Sequence, residues 1–326
     1  MRSRSIMTNE ELLEKYQTGN RDFSRSDLSR IQIIQTKLQY IDLSRSELDW
    51  ANLSGTDLSF ANLNRVDLVN ARLIKTQLIE ANLNCADLTN ADLSWANLEG
   101  AILVRVDFSD ANLNQCSFKN ADLRDANLSG ANLSGVNLEG ANLSRADLSD
   151  ANLSGVNLAH ANLSRADLSH ANLSQANLTR VNLNKADLSE SNLKQANMQR
   201  SIMKGANLRS ANLKGASFSG AVLKEVNSSL ATISELNLPG FNRPSRLDLR
   251  SANLTNANLS GACLEDANLR FVSLYKANLQ QANFNSASLI DVYLRDADLR
   301  GAILHQCVLS NVNWKDTVMP DGSIHL

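Results

Sequence analysis

Histidine is scarce in this chain. Among 326 residues there are four, His160, His170, His305 and His325, and none comes with the partner set that a metal site needs. Cysteine is as scarce. Cys85, Cys116, Cys263 and Cys307 stand at spacings that pair none of them, which points to reduced thiols and a cytoplasmic chain. No glycine-rich phosphate loop occurs, and no apolar run approaches the roughly 20 residues of a membrane-spanning helix. The opening stretch, MRSRSIM, is basic but has no apolar stretch behind it, which argues against a secretory signal. Catalysis needs irregular residues converging in a pocket. This sequence offers none, so a non-enzyme without cofactor or metal is expected.

What the chain has is repetition. Residues 131–150, ANLSGVNLEGANLSRADLSD, and 151–170, ANLSGVNLAHANLSRADLSH, differ only at Glu139/Ala159, Gly140/His160 and Asp150/His170. Inside each block a unit A-(N/D)-L-x-x recurs every five residues. A step of five turns a helix by about 140° net, so the leucines would spread around the cylinder. A flat strand fails too, because an odd step flips each successive leucine to the other side. Only a chain that bends once per unit keeps every leucine inside. The small residue and the leucine, two apart, then share the inner side. Asn or Asp points out between them, and the last two residues make the corner. Every fifth residue from Phe23 to Leu223 is Leu, Ile, Phe or Met. Such units are stable only against their neighbours, as in a solenoid.

The twenty-residue period says how many units close one coil. Arg25, Arg45, Arg65, Arg105 and Arg145 fall twenty or forty apart, with Cys85 and Asp125 between them. Two residues further on stand Asp27, Glu47, Asp67, Asp87, Asp107, Asn127 and Asp147. The basic series turns acidic at Asp125, and the acidic series turns neutral at Asn127. That compensation predicts a four-sided coil with the two columns side by side as an ion-pair ladder.

The A(D/N)Lxx tandem resembles the pentapeptide-repeat family over nearly the whole chain. The resemblance implies an all-β fold, a right-handed quadrilateral β-helix with a short N-terminal capping α-helix. The ends, NEELLEKYQTGNRDF from Asn9 and VMPDGSIH from Val318, resemble those of cyanobacterial members, among them a regulator of heterocyst differentiation thought to bind a transcription factor.

Five segments follow from the pattern. Residues 1–20 are a tail and capping helix, with Thr8-x-x-Glu11 as capping box and Gly19 as stop. Residues 21–238 hold the first register, in which Ser228 is a weak centre. Residues 239–246, PGFNRPSR, hold two of the three prolines and break the register; they make either a tolerated insertion or a contact loop. Residues 247–316 resume one residue out of phase, from Leu249 to Trp314, and 317–326 form a tail.

With no chemistry to place, function must lie on surfaces. The arginine column reads as a solvated ion ladder rather than a nucleic-acid stripe, since the acidic column cancels its field. Residues 51–150 carry 7 Lys/Arg against 13 Asp/Glu, and 151–250 carry 12 against 6. That split disfavours a uniformly acidic DNA mimic of the kind that protects a topoisomerase. Apolar residues at outward positions mark a contact site instead. The candidates are Phe60, Ile74, Ile79 and Trp95, followed by Phe241, Asn242 and Arg243 in the break. The expected partner is another protein, not a small molecule, nucleic acid or membrane. The expected role is regulatory binding, on a transcription factor or differentiation pathway as the resemblance implies. A topoisomerase protector and a plain spacer are the alternatives.

Overall fold

A computed structural model describes residues 7–218, 221–233 and 247–326 of the chain. It contains one helix, α1 (Asn9–Gln17), and two compact units, Met1–Asn162 and Leu163–Leu326.

In the first unit each residue at the Asn/Asp position bridges in parallel to the residue twenty further on, from Asp22↔Asp42 to Asn142↔Asn162. Between bridges the chain turns every five residues. Each turn is closed from the small residue back to the preceding centre, as in Ala51 N–H to the Leu48 carbonyl (3.0 Å). One coil therefore holds twenty residues and four turns. The third residue of each turn has a left-handed backbone, for example Arg45 (φ 58°), Trp50 (φ 58°) and Arg145 (φ 62°), as type II turns require of that position. The small position lies buried beside the turn, where Ala predominates and Val66 or Ile41 also fits. The centre is buried against the coils above and below.

The core is the leucine column. Leu58, Leu63, Leu68 and Leu153 are fully buried, and Phe108 packs edge-on against Phe118 with ring centroids 5.8 Å apart. Each large side chain so buried contributes roughly 1.5–3 kcal/mol. Polar residues at the small inward position are satisfied. The hydroxyls of Ser46, Thr56 and Thr76 donate to the carbonyls of Phe23, Ile33 and Leu53, each 23 residues back. Cys116 does the same to Leu93, and burial pushes its thiol up to about 12.

Helix α1 lids this unit. Thr8 caps it by accepting from the Glu11 N–H (3.2 Å), Leu12 is buried, and Asn9 exchanges two hydrogen bonds with the backbone of Gln32. A strand edge that would otherwise face solvent is thereby covered.

The second unit repeats the pattern with one change. Bridges twenty apart run from Asp167↔Asp187 to Asn212↔Thr232, but Val222 bridges Asp248, and Asn227 bridges Asn253. One coil thus takes up six extra residues, which explains the one-residue phase shift read from the sequence. Bridges twenty apart then resume at Asp248↔Asn268. Ser228, the weak centre, is buried with an unpartnered hydroxyl. Strands β1 (Ser288–Ile290) and β2 (Val308–Ser310) pair in parallel, and β3 (Thr317–Val318) pairs antiparallel with β4 (Ile324–His325). Leu309, a centre, is half exposed in β2.

The expected ion ladder takes a different form. Asp27, Asp67, Asp87, Asp107 and Asp147 each accept the N–H two residues on, at 2.9 to 3.2 Å. Their oxygens close the local turn instead of facing the neighbouring arginines. The ion pair forms within the basic column, where Arg145 binds Asp125 one coil earlier.

Candidate interaction face

The four candidates of the first unit lie on one side of the coil, at its two edges. Phe60 and Ile79 meet at one edge, where the Phe60 N–H donates to the Ile79 carbonyl at 2.9 Å. Tyr40 joins them from the preceding coil and stacks on Phe60 with ring centroids 5.0 Å apart and planes 8° from parallel. Ile74 and Trp95 belong to the other edge. Ile74 accepts from the Gly55 N–H (2.8 Å), and the Lys75 N–H reaches Ser94, beside Trp95 (2.9 Å). Between the edges the strand Thr76–Leu78 points Gln77 outward, bridged to Asp57 and Asn97. The face is therefore a polar strip between two apolar rails, not one continuous patch.

Phe60 (φ 62°) and Trp95 (φ 65°) occupy the left-handed corner and are exposed, 42% and 57%. Ile74 and Ile79 sit one residue earlier and are half buried, whereas Ile34 at the same position of its turn is 49% exposed. Ile34, Tyr40 and Trp50 add three more exposed apolar side chains in the same unit.

One neighbour was not among the candidates. Ile102 stands at an outward Asn/Asp position and is 44% exposed. With Ile79, Glu80, Glu99, Gly100 and Asn120 it lines an open groove of about 470 Å³. The signal was in the sequence, where AIL at 101–103 replaces the usual A(N/D)L. The remaining candidates, Phe241, Asn242 and Arg243, lie outside the described residues.

Among the described residues no group of three or more His, Cys, Asp or Glu could hold a metal, and all four cysteines are free. No described helix is long and apolar enough to cross a membrane.

A left-handed corner every fifth residue, a buried leucine column and parallel bridges twenty apart define a solenoid of five-residue repeats. The chain belongs to the pentapeptide-repeat family. The family profile, pentapeptide repeats (8 copies), matches residues 26–200 in overlapping segments, then 201–235, 245–270 and 277–316. Among solved structures the chain is similar to HetL, a pentapeptide repeat protein involved in heterocyst differentiation regulation from the cyanobacterium Nostoc sp. strain PCC 7120. Identity is 29% over 98% of this chain and 100% of HetL, with a TM-score of 0.36. A second pentapeptide repeat protein from Nostoc PCC 7120 is 33% identical over 37% of this chain and 82% of its own, with a TM-score of 0.25. QnrB1, a plasmid-mediated fluoroquinolone resistance protein, is 20% identical over 58% of this chain and 87% of its own, with a TM-score of 0.31. No curated protein sequence matches the chain.

Proposed function

We propose that this chain is a non-catalytic binding protein, built on a right-handed quadrilateral β-helix, that regulates a protein partner through the face flanked by Phe60, Ile79, Ile74 and Trp95. One observation carries the reading. Large aromatic side chains stand outward at left-handed corners, a conformation that costs a non-glycine residue roughly 1–2 kcal/mol. Glycine occupies the same corner at Gly55 and Gly100. Bulk at Phe60 and Trp95 is thus not required by the turn, and it is of the kind that dominates protein interfaces. The break at Phe241, Asn242 and Arg243 is the second choice of contact. A transcription factor or differentiation pathway as the target is the finer form of the proposal.

The test replaces Phe60, Ile74, Ile79 and Trp95 by serine. A second set changes Phe241, Asn242 and Arg243, and a third changes Ser134, Ser154 and Ser174 on the plain wall. Partners captured by the unaltered protein from the source cell are then titrated against all three. Loss of affinity in the first set, with an unchanged fold, supports the reading. Loss only in the wall set points to recognition of the regular repeat. Equal tolerance of all three points to a spacer. Altered gyrase supercoiling in the presence of the protein would favour topoisomerase protection instead.

A further inference from the structure

We propose that the second unit carries a separate docking edge for an extended acidic protein segment with alternating apolar residues. Lys204, Lys224, Arg250 and Arg270 occupy the same corner of four successive coils. The linking bonds are Gly205 N–H to Lys224, Glu225 N–H to Arg250 and Ser251 N–H to Arg270, each 3.0 Å. Neighbouring members are thus one strand spacing apart, about 4.8 Å. The intervals in sequence are 20, 26 and 20 residues. The six extra residues hide this column from any twenty-residue reading, and the fold puts it back in phase.

Stacked like charges repel, and the basic column of the first unit relieves itself where Asp125 pairs with Arg145. Here the relief is incomplete. Glu225 serves both Lys204 (3.9 Å) and Lys224 (3.3 Å), and Asp248 serves Arg250 (2.6 Å). Among the described residues Arg270 meets no carboxylate and lies over the Phe271 ring, 5.6 Å from its centroid. Among the described residues four cations thus share two carboxylates, and the lysine and arginine side chains remain 37–55% exposed where they pair.

Beside Lys204 and Lys224 the outward strand position is apolar, while beside Arg250 and Arg270 the same column continues as Asp248 and Asn268. Ile202 is 45% exposed, Val222 is half buried, and they bridge each other. A cationic row flanked at its first two coils by an apolar pair fits a strand laid flat along the coils, with one row of its side chains to each side. Three carboxylates at alternate residues of that strand span about 13 Å, which fits within the about 14 Å covered by the four cations without pairing them one to one. A nucleic acid meets the cations but carries no row of aliphatic side chains to set on Ile202 and Val222.

The experiment titrates the full chain with a fluorescein-labelled eight-residue peptide of alternating Asp and Leu, at low and at physiological salt. The comparison probes are an Asp-Ser peptide of equal charge and an oligothymidylate of equal charge. Replacing Lys204, Lys224, Arg250 and Arg270 by serine is expected to weaken Asp-Leu binding at least about tenfold. Replacing Ile202 and Val222 by serine should erase the preference for Asp-Leu over Asp-Ser. Removing Arg180, Lys194, Arg209 and Lys214 should change neither. If the fourfold variant does not fold, Lys204→Ser and Lys224→Ser singly give the same reading, since both side chains are exposed to solvent. Unaltered binding by the ridge variants overturns the proposal. So does no binding at low salt, or oligothymidylate binding the same four residues at least as tightly as the Asp-Leu peptide.

Discussion

Arg145 holds Asp125 across one coil with two parallel hydrogen bonds, Nε to Oδ1 at 2.6 Å and Nη2 to Oδ2 at 2.7 Å. The guanidinium keeps the Asp125 carboxyl below its ordinary value, with further help from the charges of Arg105 and Arg124. A group depressed in the fold stabilises above its unfolded pKa, and the benefit fades as pH falls through the folded one. An NMR titration should therefore find Asp125 ionising below an ordinary aspartate, and Arg145→Ala should raise it. An unmoved Asp125 signal in Arg145→Ala would show that the pair does not form in solution.

Asp298 is the sharper case. It is held by Arg300 through a two-pronged contact, by the Arg300 N–H and by Gln280, and its pKa falls to about 2. Replacing Arg300 by Leu should bring the carboxyl back toward 3.8 while the backbone and Gln280 bonds keep it somewhat low. Chemical-shift titration of the Asp298 side chain between pH 1.5 and 5 decides it.

The core makes a blunt prediction. Leu153 is fully buried, so Leu153→Ala should cost about 2–5 kcal/mol. Leu153→Asp, which leaves a charge among leucines, should cost more. A thermal midpoint unchanged by Leu153→Asp would sink the inward assignment of the repeat's leucine.

Ser228 should behave in the opposite way. Its buried hydroxyl has no partner, and leucine fills the equivalent position in most coils. Ser228→Ala should raise stability by about 1 kcal/mol by removing an unpaired polar group, and Ser228→Leu by more. Chemical denaturation of both variants measures this, and destabilisation by both would mean that the site is too tight to accept a side chain without the hydroxyl.

Trp95→Gly separates stability from contact. Glycine adopts φ 65° at no steric cost, which offsets the apolar burial lost with the ring. The variant should unfold within about 1 kcal/mol of the unaltered protein, yet lose partner affinity. A large loss of stability would assign Trp95 to the fold rather than to a partner.

Much of this was legible in advance because the repeat leaves few choices. The five-residue step excludes both helix and flat strand, and residues twenty apart fall in register, as Tyr40 and Phe60 do where they stack. Ser228 could be picked out because it is the one weak centre in an otherwise apolar column. Side-chain direction was less accessible. The sequence aligned Asp147 with Arg145 but could not show that the Asp147 oxygen is taken by the Ser149 N–H. Nor could it show that Ile74 and Ile79 are half buried while Phe60 and Trp95 stand out. The Lys204–Arg270 column escaped because a fixed period loses count at an insertion, whereas hydrogen bonding does not.

Outward asparagines form ladders in which each amide donates one coil back, as Asn82 does to Asn62, Asn152 to Asn132 and Asn278 to Asn258. A carboxylate can take the accepting place in a ladder, as Asp92 does beneath Asn112 and Asp187 beneath Asn207. This bears on how the protein ages. Hydrolysis of a donor amide to a carboxylate would set two acceptors face to face and break the chain of bonds at that coil. The reaction needs the backbone N–H of the next residue to swing onto the side-chain carbonyl. In these units that N–H belongs to the buried leucine and is already bonded to the following coil, as Leu83 N–H is to Ile102 at 2.8 Å. A chain this rich in asparagine is therefore chemically durable for as long as it stays folded, and its first spontaneous damage should be found where a coil has opened.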